Sequence, residues 1–269
     1  MSKRQNRSHR QTAQSNTYRF FVSGDVLHGR DVTIQDPEIA HQLNNVLRLQ
    51  PGDQVLLLDN TGWQYTISIT SIARDRVGGT VERKELAPGE PRTKLTLYVG
   101  LMRPERFEWV LQKGTELGVS VFVPMVSERS SVGDASELSE RKIERWNKII
   151  REAAEQARRG KLPRLAPPLP FASACEQAAQ RTTALLLWEG GGVPSLRQAL
   201  LDAKAQPEKN NSFSFALISG PEGGFTSTEL EASRDCGIIP VTLGPRTLRA
   251  ETAPLAAATA LLYELGDLE

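Results

Sequence analysis

Between residues 18 and 86 the chain is a series of short apolar and β-branched runs, YRFFV, QVLLLD, WQYTISIT and RVGGTVERKEL, set apart by Pro51-Gly52, Asn60-Thr61-Gly62 and Gly78-Gly79. Runs of this length between turn-forming pairs predict β-strands, since an extended chain reverses most readily at glycine or proline. One helix interrupts them. Asp36 is placed to cap its first turn, Pro37 has no N–H to leave unpaired there, and Ile39, Leu43, Val46 and Leu47 recur at helical spacing. A small β-barrel with one helix satisfies this pattern. Residues 87–94, APGEPRTK, are polar, contain Pro88, Gly89 and Pro91, and read as a linker.

Beyond the linker, strand and helix patterns alternate. LTLYVGL (95–101) precedes a helix from about residue 105 with Phe107, Val110, Leu111, Gly114 and Leu117 on one face. VFVPMV (121–126) precedes a helix over 139–159 whose stripe is Ile143, Trp146, Ile149, Ile150, Ala153 and Ala157. ALLLW (184–188), FSFALIS (213–219) and IIPVTL (238–243) are continuous apolar runs, as expected of parallel strands covered on both faces. Thr226 and Glu229 form a capping box before another helix, and a last helix, begun by Pro254, is apolar all round. The expectation is an open α/β sheet whose ligands sit beyond the carboxyl ends of its strands.

A length of 269 residues allows two domains, and 39% hydrophobic with 24% charged residues is ordinary for a globular protein. No run approaches the roughly 18 apolar residues of a membrane span, and no apolar run follows the first basic residues, so a cytoplasmic location is expected. Cys175, Cys236, His9, His28 and His41 are too scattered for a zinc site or a disulfide framework, and no metal is expected. Net charge is only +1, but cations cluster. Residues 1–19 hold five cations and no carboxylate, and residues 139–164 hold nine cations against four glutamates. Clusters of this kind suit the phosphates of a nucleic acid, although charge alone equally describes a solvated helix face and a disordered tail.

Two loops at strand ends carry the candidate chemistry: Ser219-Gly220-Pro221-Glu222-Gly223-Gly224 and the segment from Leu243 to Ala253. Their glycines let main chain approach a ligand closely. Neither dinucleotide nor P-loop fingerprints occur. Taken alone, GPEGG is also a tight turn before a helix, and Arg249 with Glu251 an ion pair at a helix start.

SGPEGGF followed by LGPRTLRAETA closely resembles the paired cofactor loops of RsmE-like SPOUT methyltransferases. Other segments are collinear with that family. Tyr18-Arg19-Phe20-Phe21 resembles its opening strand, His41 to Arg48 its N-terminal helix, Lys113 to Gly118 its first SPOUT helix, and Arg145-Trp146 through Glu152, Glu155 and Gln156 its basic helix. The match covers nearly everything from about residue 18 onward. It implies a basic tail at 1–17, a PUA-like β-barrel RNA-binding domain at 18–90 and a SPOUT α/β trefoil-knot domain at 94–269, in a homodimer. S-adenosyl-L-methionine would be held by three loops, through Trp188, Glu189, Gly190, Ser219, Gly220, Pro221, Glu222, Gly223, Gly224, Leu243, Gly244, Leu248, Arg249, Glu251, Thr252 and Ala253. RNA would be met by Arg19, Arg48, Arg103, Arg145, Arg158 and Arg159.

The implied reaction is methylation of uridine N3 in small-subunit (16S) ribosomal RNA, free or assembled, as a step of rRNA processing. Arg19 and Arg249 are the catalytic candidates, because donors near the uracil carbonyls favour the base that has lost its N3 proton. Either could instead be a phosphate contact, and Glu222 or Glu251 could take the proton. The competing readings are a SPOUT enzyme for another RNA or atom, and a non-catalytic RNA-binding ribosome-assembly protein. The intact loops argue against the latter.

Overall fold

The computed structural model describes residues 18–130, 138–180, 183–205 and 214–268, so the basic tail lies outside the described residues. The chain divides into two compact units, the first reaching Asp59 and resuming over Trp63–Glu85, the second comprising Asn60–Gly62 and everything from Leu86.

The first unit contains β1 (Arg19–Phe21), β2 (Leu27–His28), β3 (Asp31–Ile34), α1 (Pro37–His41), β4 (Gln54–Leu58), β5 (Trp63–Ile72) and β6 (Val77–Leu86). They form one sheet in the order β1-β4-β5-β6-β3-β2, with β1 parallel to β4, and β4–β5, β6–β3 and β3–β2 antiparallel. The sheet curls around Phe20, Val32, Ile34, Leu43, Val55, Leu57, Ile67, Ile69 and Val77, a barrel-like arrangement. Asp36 caps α1 as expected, its Oδ1 accepting from the N–H of Glu38 at 2.9 Å and of Ile39 at 3.2 Å. One expectation fails. The helix widens into a π turn over Gln42–Val46, closed by Leu47 N–H to Gln42 C=O at 2.9 Å, which keeps Leu43 in the core but leaves Val46 63% exposed. Strands β2 and β3 were not anticipated, because their apolar positions are too few to stand out.

The second unit runs β7 (Lys94–Gly100), α2 (Pro104–Leu117), β8 (Val121–Val126), α3 (Glu140–Gln156), β9 (Arg164–Leu165), β10 (Leu169–Pro170), α4 (Phe171–Ala179), β11 (Thr183–Leu187), α5 (Leu196–Lys204), β12 (Ser214–Ser219), α6 (Ser227–Asp235), β13 (Ile239–Val241) and α7 (Thr252–Glu264). Its sheet is parallel throughout, in the order β10-β8-β7-β12-β11-β13, with β9 also beside β8. Alternation along the strands loads both faces. Leu95, Leu97, Val99, Phe122, Leu185 and Leu217 join α2, α3, α5 and α7 in one core, while Tyr98, Val123, Met125, Leu186 and Ile218 join α4 and α6 in another. Burial on both sides is why these strands read as continuous apolar runs. Helix α7 begins two residues before Pro254, which occupies its first turn, where a missing N–H costs nothing.

The segment that reads as a linker is an anchor of this unit. Glu90 Oε1 accepts from Arg159 Nε at 2.8 Å and from the N–H groups of Gly160 and Lys161 at 3.0 and 3.1 Å. The chain leaves β8 for one edge, returns to β11, inserts β12 between β11 and β7, and finishes with β13 outside β11. The carboxyl ends of β12, β11 and β13 therefore stand side by side.

Candidate active site

Loops following β11, β12 and β13 enclose one cavity of about 460 Å³. Of the residues expected around a cofactor, Trp188, Glu189, Ser219, Gly220, Pro221, Glu222, Gly224, Leu243, Gly244, Leu248, Arg249 and Ala253 line it. Gly190, Gly223, Glu251 and Thr252 are not part of that lining. A Cβ on Gly190 would lie 2.3 Å from the Trp188 indole nitrogen, and Gly223 is exposed beside Arg129, whose Nη1 donates to its carbonyl at 2.9 Å. Glu251 turns its carboxylate toward Arg106 and Arg249, and Thr252 is exposed in the first turn of α7. Arg246, Thr247 and Ala250 of the same last loop also face the cavity.

Four lining residues escaped the sequence reading: Arg106, Leu187, Phe225 and Thr242. Leu187 closes β11, and Phe225 and Thr242 directly adjoin the motif loops. Arg106, in the first turn of α2, lies far from both motifs in sequence, and only the adjacency of β7 to β12 brings it in. That adjacency is close. A Cβ on Gly100, at the end of β7, would sit 2.5 Å from the Pro221 nitrogen and 2.8 Å from the Gly220 carbonyl carbon, so only glycine fits.

The β12 loop is held from two sides. Gly224, at φ +65°, completes a turn closed by its N–H to Pro221 C=O at 3.0 Å. The capping box is present, with Thr226 Oγ1 accepting from Glu229 N–H at 3.2 Å and Glu229 Oε2 accepting from Thr226 N–H at 2.9 Å. The other oxygen of Glu229 accepts from Glu128 N–H at 2.9 Å, which ties the loop after β8 to the loop after β12. Leu187, Leu243, Leu248 and Phe225 supply apolar wall, and Arg106, Arg246, Arg249, Glu189 and Glu222 supply charge, with Arg106 Nη1 3.6 Å from Glu222 Oε1. The cavity thus offers main-chain donors and acceptors, apolar surface and a few charges, the usual composition of a small-molecule site.

The proposed RNA cations fall into different environments. Arg19 lies in the first unit, where its Nη1 donates to Gln64 Oε1 at 2.8 Å and Gln64 in turn donates to Glu85 Oε1 at 2.9 Å. Arg48, Arg103 and Arg158 are exposed, and Arg103 N–H donates to Glu222 Oε1 at 3.1 Å. Arg145 forms a fork with Glu108, at 2.5 Å from Nε and 2.8 Å from Nη2. That hydrogen-bonded guanidinium pulls the Glu108 carboxyl below its ordinary value. Arg159 requires a correction. It is 2% exposed and donates to Glu90 through Nε and Nη2 and to the carbonyls of Thr115 and Val119 through Nη1, so it cannot reach a phosphate. Among the described residues no group of three or more His, Cys, Asp or Glu could hold a metal ion, and no helix is long and apolar enough to cross a membrane.

The family model described as "RNA methyltransferase domain" matches residues 89–262. Ribosomal RNA small subunit methyltransferase E of Bacillus subtilis is 32% identical over 84% of this chain and 88% of its own length. The protein of the same name from Synechocystis is 35% identical over 89% of this chain and 75% of its own. Among solved structures, a ribosomal RNA small subunit methyltransferase E from Neisseria gonorrhoeae bound to S-adenosyl methionine superposes with a TM-score of 0.79 at 30% identity, over 92% of this chain and 98% of the other.

Proposed function

The chain belongs to the family of ribosomal RNA small subunit methyltransferase E, within the RNA methyltransferase domain family, and on that premise we propose that it transfers the methyl group of S-adenosyl-L-methionine to N3 of a uridine in 16S ribosomal RNA. The observation that carries the reading is the single cavity at the carboxyl ends of β11, β12 and β13, walled by the SGPEGG and LGPRTLRAETA segments together.

The cavity suits the cofactor. Its volume of about 460 Å³ lies within the range of small-molecule sites, and a Cβ built on Gly244 meets nothing within 4 Å. Main-chain groups of Trp188, Glu189, Gly190, Gly220 to Gly224 and Leu243 to Ala253 would hold it, with Leu187, Leu243, Leu248 and Phe225 against its apolar parts. When bound, S-adenosyl-L-methionine supplies a sulfonium methyl that is already electrophilic. The protein's share of the chemistry is then to hold uracil N3 in line at about 3 Å, to exclude water and to favour loss of the N3 proton. Glu222, on the cavity wall, is better placed than the recessed Glu251 to receive that proton. Arg249 faces the cavity and Arg19 belongs to the RNA-binding unit. Because N3 lies on the pairing edge, the target base is unpaired or flipped out.

In this reading the first unit is a PUA-like RNA-binding domain and the second a SPOUT domain whose carboxyl-terminal segments thread a trefoil knot. The protein works in the cytoplasm as a homodimer on 16S rRNA or the small subunit. The all-round apolar character of α7, which leaves Tyr263 65% exposed, supports a partner face there. Incubation with labelled cofactor and small-subunit particles lacking the modification should place label on N3 of one uridine. Label on another atom or another RNA, or none with competent particles, overturns the assignment.

A further inference from the structure

Arg106 lies outside both glycine-rich loops, yet its side chain lines the cavity. Its guanidinium stands between two carboxylates, 3.6 Å from Nη1 to Glu222 Oε1 and 3.8 Å from Nε to Glu251 Oε2, beyond hydrogen-bonding distance in both cases. Glu251 Oε2 is itself buried and accepts no hydrogen bond among the described residues. A half-buried fork of donors beside an unfilled buried acceptor is costly in a folded protein. Elsewhere in the same unit a like pair is fully joined, Arg159 to Glu90 at 2.8 and 3.2 Å. Glu222 and Glu251 flank the Arg106 fork without consuming it, which leaves its donors for a ligand in the cavity.

We propose that Arg106 is a catalytic residue that donates hydrogen bonds to a carbonyl oxygen, O2 or O4, of the target uracil, and that Glu251 is a positioning residue for it. The proposal rests on the methyltransferase reading above. Uracil N3 lies between two carbonyls, so when its proton leaves, the negative charge spreads onto O2 and O4. A fixed cation there lowers the cost of that charge, and an arginine does so without itself giving up a proton. The N–H electron pair stays on N3 and forms the new bond to the methyl carbon. The pair of the breaking C–S bond returns to sulfur, and the proton passes to a carboxylate or to water. Exposure separates Arg106 from a phosphate contact, since its side chain is 32% exposed whereas that of Arg249 is 77% exposed.

The test compares wild type with Arg106→Gln, Arg106→Lys and Glu251→Gln. Expected for Arg106→Gln is a fall in kcat of about 100-fold or more, the size seen when one donor to a developing oxyanion is removed. The rising limb of kcat against pH should move to higher pH, because N3 then ionises less readily. Cofactor affinity by calorimetry and affinity for the particles should both stay within about twofold. Arg106→Lys keeps the charge but not the fork, and should fall between the two, carrying the test if Arg106→Gln does not fold. Glu251→Gln should shift the pH limb in the same direction by less. A tenfold loss of cofactor affinity would place Arg106 on the cofactor, and weakened particle binding with kcat intact would place it on phosphate. Either overturns the proposal, as does a kcat unchanged in both Arg106 variants. An inactive wild type sinks the methyltransferase reading instead, so the two failures are distinguishable.

Discussion

Arg159 and Arg106 show two opposite uses of one side chain in the same unit. Arg159 is spent, with its donors shared among the Glu90 carboxylate and the carbonyls of Thr115 and Val119, and it fastens the 87–93 segment to the end of α2. Arg106 is held apart from its carboxylates at 3.6 and 3.8 Å on the wall of a cavity. The difference teaches that cations counted along a sequence are not cations available to a partner. In the basic stretch over 139–164, Arg145 is likewise engaged, by Glu108, while Arg158 is exposed and forms no ion pair among the described residues.

The largest effect should come from removing the spent arginine. Arg159→Ala leaves Glu90 without its countercharge in a site where Glu90 is only 17% exposed, and breaking such a pair typically costs about 3–5 kcal/mol. Denaturant unfolding should show that loss. Arg159→Lys should rescue little of it, because an ammonium cannot reach the carboxylate and two carbonyls in one plane. A loss below about 1 kcal/mol, within the range of exposed pairs, would erase the contrast.

Next comes the cavity itself. A Cβ on Gly220 would lie 3.3 Å from the Gly224 main chain and from the Phe225 ring, so Gly220→Val pushes the β12 loop out of shape from within rather than simply plugging the cavity. Overpacking of this kind costs about 1–3 kcal/mol, which, if it falls on the cofactor-bound loop, is roughly 5- to 150-fold in cofactor affinity. Calorimetry should record that loss with RNA affinity nearly intact, and a parallel loss of both would contradict it. Smaller still is Arg158→Ala, which should lower the slope of RNA affinity against salt by about one phosphate contact and leave cofactor binding unchanged. An unaltered slope would show that this cation too is merely solvated.

What the residues disclosed in advance follows the same division. The strands of the second unit were legible because burial on both faces writes uninterrupted apolar runs, and the cofactor loops because SGPEGGF and LGPRTLRAETA together resemble a known pair, since glycine at a strand end alone also reads as a tight turn. Val46 was misplaced because a π turn shifts the helical period, and a spacing rule assumes that period. Arg106 was invisible because its place depends on β12 inserting between β7 and β11, a crossover that no local pattern records. Arg159 looked like any cation of a basic stretch. Its fate is decided by Glu90, in a segment whose prolines and glycine made it read as a linker.

The weakest effect separates the engaged cations from one another. Arg145 and Glu108 join at the surface, with the arginine side chain 67% exposed, so water and salt screen most of their attraction. Hydrogen bonding from Arg145 holds the Glu108 carboxyl below its ordinary value of 4.5. A carboxyl depressed in the folded state lends stability above its unfolded value and loses it as pH falls through the folded one. Arg145→Ala should therefore lower the thermal midpoint slightly near neutral pH, and the difference from wild type should shrink as pH drops below 4.5. Added salt at neutral pH should shrink it as well. A difference between the two proteins that persists in acid and at high salt would mean that Arg145 acts through packing of its aliphatic stem, not through the carboxylate it grips.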